Sequence, residues 1–141
     1  MPVKGLKIIL AKLGPDGHDR GVMMVSQWLR DAGFEVIYLG GHQTIDKVVN
    51  AIIQEDAKIL GLSFSGGDHL FHTKRMIEKM KEKGLDNMPI LVGGVFPNQD
   101  IRKLKEMGAS EVFVAGSSLH HVVKYLEELC EKLPESEVPQ G

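Results

Sequence analysis

Apolar residues fall in five short runs, and each run is followed by a longer stretch in which they recur every three or four positions. The runs cover residues 6–11, 36–39, 59–63, 89–92 and 112–114. The stretches cover residues 22–32, 44–53, 68–83, 97–107 and 119–133. Nearly continuous apolar runs are typical of strands covered on both faces, and the longer spacing is typical of amphipathic helices. The pattern predicts five strands alternating with five helices.

This alternation predicts the α/β class and a doubly wound parallel sheet. We expect the flavodoxin-like strand order 2-1-3-4-5, in which the chain reverses direction across the sheet between strands one and three. Ligands of such sheets bind at the carboxyl ends of the strands beside that reversal. We expect residues 1–133 to form one domain and the polar tail, residues 134–141, to be disordered.

Composition narrows the classes of function. The chain has 141 residues, of which 43% are hydrophobic and 26% charged, and its net charge is −2. It has no basic block, which argues against nucleic-acid binding. No apolar run approaches the roughly 20 residues that span a membrane, and no signal-peptide pattern is seen. The single cysteine, Cys130, allows no internal disulfide. We therefore expect a cytoplasmic protein without a membrane or nucleic-acid partner.

The loop after the first strand carries the spacing Asp-x-His-x-x-Gly, filled by Asp16, His18 and Gly21. A neutral imidazole is a good metal ligand when an acceptor holds its other ring nitrogen. Asp16 could supply that acceptor, and Lys12 could steady the carboxylate in turn. On this triplet alone, a solvated polar pair is the more usual interpretation, and the later motifs are what favour a metal-binding role.

The loops after the later strands open with small residues, at positions 63–67, 93–97 and 116–118. A strand edge lined by backbone and hydroxyl groups suits a bulky, elongated ligand. Ordinary turn chemistry is the alternative for any one glycine pair. A response-regulator receiver is excluded, because Leu62 and Ser63 stand where the phosphoacceptor aspartate would be. The hydroxyl-rich phosphate loop of flavodoxins and the dinucleotide Gly-x-Gly-x-x-Gly spacing are also absent from the sequence.

Taken together, these motifs resemble the cobalamin-binding domain of methylmalonyl-CoA mutase and its relatives. That family carries Asp-x-His-x-x-Gly, then Ser-x-Leu, then Gly-Gly, in this order. The resemblance covers residues 5–129, and residues 11–21, 33–38, 42–44 and 93–100 are especially similar to the acyl-CoA mutases, including the isobutyryl-CoA and 2-hydroxyisobutyryl-CoA mutase small subunits. One position departs from the pattern: Ser65 replaces the leucine expected against the nucleotide tail.

The resemblance implies adenosylcobalamin as cofactor. It implies that His18 is the axial cobalt ligand in place of the cofactor's own dimethylbenzimidazole, held by Asp16 and Lys12. The freed nucleotide tail would enter the sheet edge, where Ser63 would offer a hydroxyl to the base. No residue of this chain would be catalytic beyond cofactor ligation. The implied cofactor-binding residues are Lys12, Asp16, Gly17, His18, Asp19, Arg20, Gly21, Ser63, Ser65, Gly93, Gly94, Val95, Phe96, Gly116 and Ser117.

The resemblance also implies a role in a larger enzyme. We expect the small subunit of a two-chain isomerase that rearranges carbon skeletons by radical chemistry and is inactive without a large acyl-CoA-binding subunit. Methylmalonyl, isobutyryl and 2-hydroxyisobutyryl substrates stay open. The alternatives are a corrinoid methyl carrier, which usually has a helical cap before this domain, and a cobalamin sensor, which needs an output domain. We expect neither a helical cap nor an output domain in this chain.

Three other histidines are candidates for contacts at this edge. His42 follows the second predicted strand and could touch the corrin rim. His69 and His72 lie three residues apart at the start of a helix. They could share a metal, although no third ligand is evident, and His69 could also contact the corrin amides.

Overall fold

All ten predicted elements are present, with ends that differ from the predicted ones by one or two residues. The computed structural model describes residues 6–13, 20–64, 68–85, 87–94, 96–114 and 119–132. The predicted tail, residues 134–141, lies outside the described residues. The elements are β1 (Lys7–Ala11), α1 (Arg20–Asp31), β2 (Glu35–Tyr38), α2 (Ile45–Glu55), β3 (Ile59–Phe64), α3 (His69–Glu82), β4 (Ile90–Gly94), α4 (Asn98–Met107), β5 (Glu111–Val114) and α5 (Leu119–Lys132).

The five strands form one sheet in the order β2-β1-β3-β4-β5, and every neighbouring pair is parallel. This confirms the predicted flavodoxin-like order. Since β2 and β3 lie on opposite sides of β1, the loops after β1 and β3 leave the sheet next to the reversal. The predicted ligand edge therefore lies where the carboxyl ends of β1, β3 and β4 meet.

Helices cover both faces of the sheet. Successive strand residues point to opposite faces, so each strand contributes side chains to the packing on both sides. Ile8 and Leu10 pack in the cluster that contains residues of α1 and α5. Ile9 and Ala11 pack in the other cluster, with residues of α2, α3 and α4. None of the described helices is long and apolar enough to cross a bilayer. Burial on both faces explains the nearly continuous apolar character of the strands.

The predicted helix boundaries have local causes. The Thr44 hydroxyl accepts a hydrogen bond from the Lys47 backbone N–H at 3.2 Å, as an N-terminal cap does. Gly108 ends α4 with a φ of 129°, which side chains rarely allow. Helices α3 and α4 begin a few residues after the ends of β3 and β4, so their first turns lie beside the carboxyl edge of the sheet.

Candidate functional site

The end of β1 is held by the loop after β2. The Lys12 backbone N–H donates to the Gly40 carbonyl oxygen at 3.3 Å, and the Lys12 carbonyl accepts from the Gln43 N–H at 3.0 Å. Leu13 and Gln43 then form an isolated parallel bridge. The Lys12 side chain is only 1% exposed. A buried ammonium group requires polar or anionic partners, which agrees with the predicted role of Lys12 toward a carboxylate.

The loop after β2, residues 39–43, contains hydrogen bonds of its own, and we call it the β2 loop. The Gln43 side-chain amide donates to the Leu39 carbonyl at 2.8 Å. His42 has a φ of 57° and an exposed side chain. The β2 loop therefore presents His42 at the same edge at which β1 ends, as the sequence predicted.

The ends of β3 and β4 form a paired edge that we call the β3–β4 cleft, made by Ser63, Phe64, Gly93 and Gly94. Ser63 pairs with Gly93, and Phe64 pairs with Gly94. The predicted strands ended earlier, at positions 63 and 92. Glycine has a low strand propensity, but each strand continues because its neighbour offers hydrogen bonds to it.

The two glycines of the cleft are needed for different reasons. A Cβ built on Gly94 would overlap the Phe64 carbonyl oxygen and would lie 3.0 Å from Cζ of Phe96, and the φ of Gly94 is 153°. The fold itself therefore requires glycine at Gly94. A Cβ on Gly93 would lie 3.6 Å from the Phe113 carbonyl oxygen, an ordinary contact. The described chain has room for a side chain at Gly93, and that room suits a ligand approaching the backbone.

A buried hydrogen-bonded pair that was not predicted from the sequence lies between the first turns of α3 and α4. The Nε2 atom of His69 and the Oδ2 atom of Asp100 are 2.7 Å apart, and the residues are 5% and 8% exposed. The His69 ring centroid lies 4.5 Å from that of Phe96 and 6.4 Å from that of Phe64. The sequence holds no local signal for this pair, since 31 positions separate its members.

His72 and His69 have different partners in the described structure. Its ring lies parallel to that of Phe64 at 6.4 Å, and its Nε2 atom is 3.9 Å from the Asp68 carboxylate. Asp100 holds the Nε2 atom of His69. Among the residues that the structure describes, no group of three or more histidines, cysteines or carboxylates could bind a metal.

A second polar cluster lies at the opposite edge of the sheet. Burial raises the pKa of the Glu111 carboxyl, but hydrogen bonds from Lys105, at 2.8 Å, and from the Val112 N–H outweigh it, so the pKa is lowered. The Tyr125 hydroxyl donates to the Ser110 carbonyl at 3.2 Å. Because Glu111 begins β5, this cluster ties β5 to its flanking helices and lies far from the cleft.

The structure brings five of the predicted site residues to one edge: Lys12, Ser63, Gly93, Gly94 and Phe96. Arg20 and Gly21 are the first two residues of α1. The other predicted site residues lie outside the described part of the chain, and their roles stay predictions. They are Asp16, Gly17, His18, Asp19, Ser65, Val95, Gly116 and Ser117.

Comparison with known families identifies the type of domain. Residues 6–123 match the sequence model of the B12 binding domain. The chain belongs to the B12-binding domain family. This confirms the resemblance seen in the sequence motifs and makes cobalamin the ligand to test against the geometry of the cleft.

Two relatives of this B12-binding domain are mutase small subunits. The chain is 37% identical over 124 residues to the 2-hydroxyisobutanoyl-CoA mutase small subunit of Aquincola tertiaricarbonis, covering 88% of this chain and 91% of that protein. It is 39% identical over 127 residues to the pivalyl-CoA mutase small subunit of Xanthobacter autotrophicus, covering 90% and 85%.

A solved structure supports the same fold. A cobalamin-binding protein from Desulfitobacterium hafniense is 27% identical and superposes with a TM-score of 0.77. The match covers 89% of this chain and 59% of that one, so this chain spans about three fifths of its length.

Proposed function

We propose that this chain is the cobalamin-binding small subunit of a two-subunit, adenosylcobalamin-dependent acyl-CoA mutase. It is an isomerase subunit, and its partner is a large subunit that binds the acyl-CoA. The proposal rests on the β3–β4 cleft, where the chain leaves space at Gly93 beside Ser63 at the carboxyl edge of the sheet. The similarity to two mutase small subunits over nearly their whole lengths supports it.

The described residues fit a cobalamin with an extended nucleotide tail. Gly93 leaves room for the tail, and Ser63 offers a hydroxyl next to it. Lys12 stands buried at the start of the loop that carries Asp16 and His18. When bound, the cofactor supplies a cobalt–carbon bond whose homolysis gives a radical, and the protein supplies ligation and placement. His18 is the axial ligand in this proposal, with Asp16 holding its second ring nitrogen and Lys12 backing Asp16.

The axial role of His18 predicts a spectroscopic signature. We expect the reduced cobalt(II) form on the isolated protein to show superhyperfine coupling to a histidine nitrogen in electron paramagnetic resonance. Labelling the protein with ¹⁵N should change the splitting, because the coupled nitrogen belongs to the protein and not to the cofactor's own base. His18→Ala should abolish the label-sensitive coupling. Coupling that is insensitive to the label, or that survives in His18→Ala, would disprove the assignment.

The supporting role of Asp16 predicts a loss of function at constant stability. We expect Asp16→Asn to lower cobalamin affinity, or turnover of the reconstituted enzyme, by about 10–100-fold, as changes to groups that orient metal-bound histidines do. Asp31→Asn is the matched control, since Asp31 is exposed on α1 and accepts only a surface hydrogen bond from Gln27, at 3.0 Å. Equal values for the two variants would contradict the role of Asp16. Thermal midpoints would show that both variants are folded.

A further inference from the structure

The exposed apolar side chains of the described residues are unevenly distributed. Four large hydrophobic side chains are exposed in this part of the chain: Met23 (54%), Met24 (48%), Ile53 (52%) and Phe71 (61%). Single exposed hydrophobic residues are normal on a protein surface, so their location is the informative property. Three of the four lie near the start of a helix, α1 or α3, whereas Ile53 lies near the end of α2.

The starts and ends of these helices lie at opposite edges of the sheet. Only residues 32–34 separate α1 from β2, and only residues 56–58 separate α2 from β3. Because both strands enter the sheet at its amino edge, the helix ends before them lie at that edge too. Met23 and Met24, near the start of α1, therefore lie toward the carboxyl edge, and Ile53 lies at the amino edge.

Ring contacts place Phe71 beside the end of β3. The His72 ring lies 5.3 Å from the Phe71 ring and is stacked at 6.4 Å on Phe64, the last residue of β3. The Arg75 guanidinium lies 5.5 Å from the centroid of the Phe71 ring, a cation–π distance. The Phe71 ring is thus exposed and yet has two neighbours that restrict it. A restricted aromatic side chain loses little conformational entropy when a partner binds it.

The two groups of exposed side chains lie on different faces of the sheet. Helix α1 packs in the cluster on one face, and α3 packs in the cluster on the other. A single partner that contacts Phe71 together with Met23 and Met24 therefore has to extend across the carboxyl edge. That is the edge at which β1, β3 and β4 end and at which the proposed function places the corrin.

We propose that Phe71, Met23 and Met24 are contact residues for the large mutase subunit, which lies across the carboxyl edge. Phe71 enters an apolar pocket of the large subunit, and a carboxylate beside that pocket pairs with Arg75. Buried aromatic and arginine side chains dominate the energy of protein interfaces, and methionine adapts to irregular apolar surfaces. This inference rests on the proposed function and adds to it the side chains through which this chain binds its partner.

Serine substitutions test the location of the surface separately from the loss of apolar area. Phe71→Ser and Ile53→Ser each remove one exposed hydrophobic side chain from a helix, and the three residue types have similar helix propensities. Ile53→Ser is the matched control, because Ile53 lies at the opposite edge. A Met23→Ser/Met24→Ser double variant tests the α1 part of the surface.

The probes are the large acyl-CoA mutase subunits of the organism that makes this chain, with adenosylcobalamin present. Surface plasmon resonance gives the dissociation constants of the full-length chain and its variants. We expect Phe71→Ser to bind the large subunit about 30-fold more weakly or worse, as the loss of an interface anchor does. The double variant should lose about tenfold, and Ile53→Ser should change by less than about threefold.

Two further measurements separate this surface from the cofactor site and from self-association. Visible absorbance titration should give the same cobalamin affinity for the isolated chain and all variants. A loss of cobalamin affinity in Phe71→Ser would place Phe71 at the cofactor and overturn its assignment to the partner. A dimer of the isolated chain that Phe71→Ser dissociates in sedimentation would assign the surface to a second copy instead.

The failure of this proposal and the failure of the proposed function give different results. If Phe71→Ser and Ile53→Ser bind the large subunit equally well, the contact surface is wrong while the proposed function stands. If the wild-type chain binds cobalamin but none of the large subunits, both proposals fail.

Discussion

The isolated chain is expected to show no acyl-CoA isomerase activity, and turnover is expected only after a large mutase subunit and adenosylcobalamin are added. A radical mutase must enclose its substrate away from water. The described helices pack on the two faces of the sheet, so none of them covers its carboxyl edge. A corrin held at that edge by His18 would expose its upper face, and a partner must cover it.

The decisive measurement mixes the chain with large subunits of several acyl-CoA mutases and a panel of branched acyl-CoA substrates. The panel should include methylmalonyl-, isobutyryl-, 2-hydroxyisobutyryl- and pivalyl-CoA, and product isomers are separated from substrate by liquid chromatography and detected by mass spectrometry. A mixture with His18→Ala is the control for catalysis by contaminating enzyme. Turnover by this chain without any partner would refute the proposed division of roles, and a productive mixture would identify the substrate.

Alanine substitutions at Gly93 and Gly94 are expected to have different effects on stability. Gly94→Ala should lower the free energy of unfolding by about 2–6 kcal/mol, because strained backbone and an atomic overlap each contribute roughly 1–3 kcal/mol. That is a large share of the total stability of about 5–15 kcal/mol of a typical domain. Gly93→Ala should leave stability nearly unchanged, because its added methyl group makes only an ordinary contact at 3.6 Å.

The expected effect of Gly93→Ala is on cobalamin binding. Gly93→Ala places a methyl group in the space proposed for the nucleotide tail, so a folded, stable variant with weakened cobalamin affinity is expected. Urea unfolding and absorbance titration of the same two variants measure both effects, and each glycine serves as the control for the other. A stable Gly94→Ala protein would disprove the steric argument, and undiminished cobalamin binding by Gly93→Ala would disprove the placement of the tail.

The fold was predictable because its determinants are local in sequence. Apolar runs as short as residues 112–114 still identified strands, since amphipathic stretches with clear ends separated them. Thr44 and Gly108 set helix boundaries through bonds within a few residues. The strand order followed from the alternation of strands and helices, because parallel strands joined through helices have few acceptable arrangements.

What the sequence could not predict depends on contacts between distant segments. The His69–Asp100 hydrogen bond links two helices, and no residue next to either one in the sequence indicates that the bond forms. The extension of β4 through Gly93 and Gly94 contradicts local propensity and follows from pairing with β3. The different requirements for Gly93 and Gly94 could not be predicted from the sequence either. In the sequence both resemble ordinary turn residues, and the structure shows that the Phe64 carbonyl lies beside Gly94.

The tie between the β2 loop and the start of the loop that carries His18 also matters for protein engineering. Two backbone bonds and the Leu13–Gln43 bridge connect these segments. A fluorescent group attached at His42, whose side chain is exposed, would therefore sit on backbone that is bonded to Lys12 and Leu13, and could report the proposed cofactor loading. The turn at Gly84 is the complementary location, because it is exposed and lies between the end of α3 and the start of β4. An affinity tag inserted at that turn would immobilise the protein without disturbing the corrin edge.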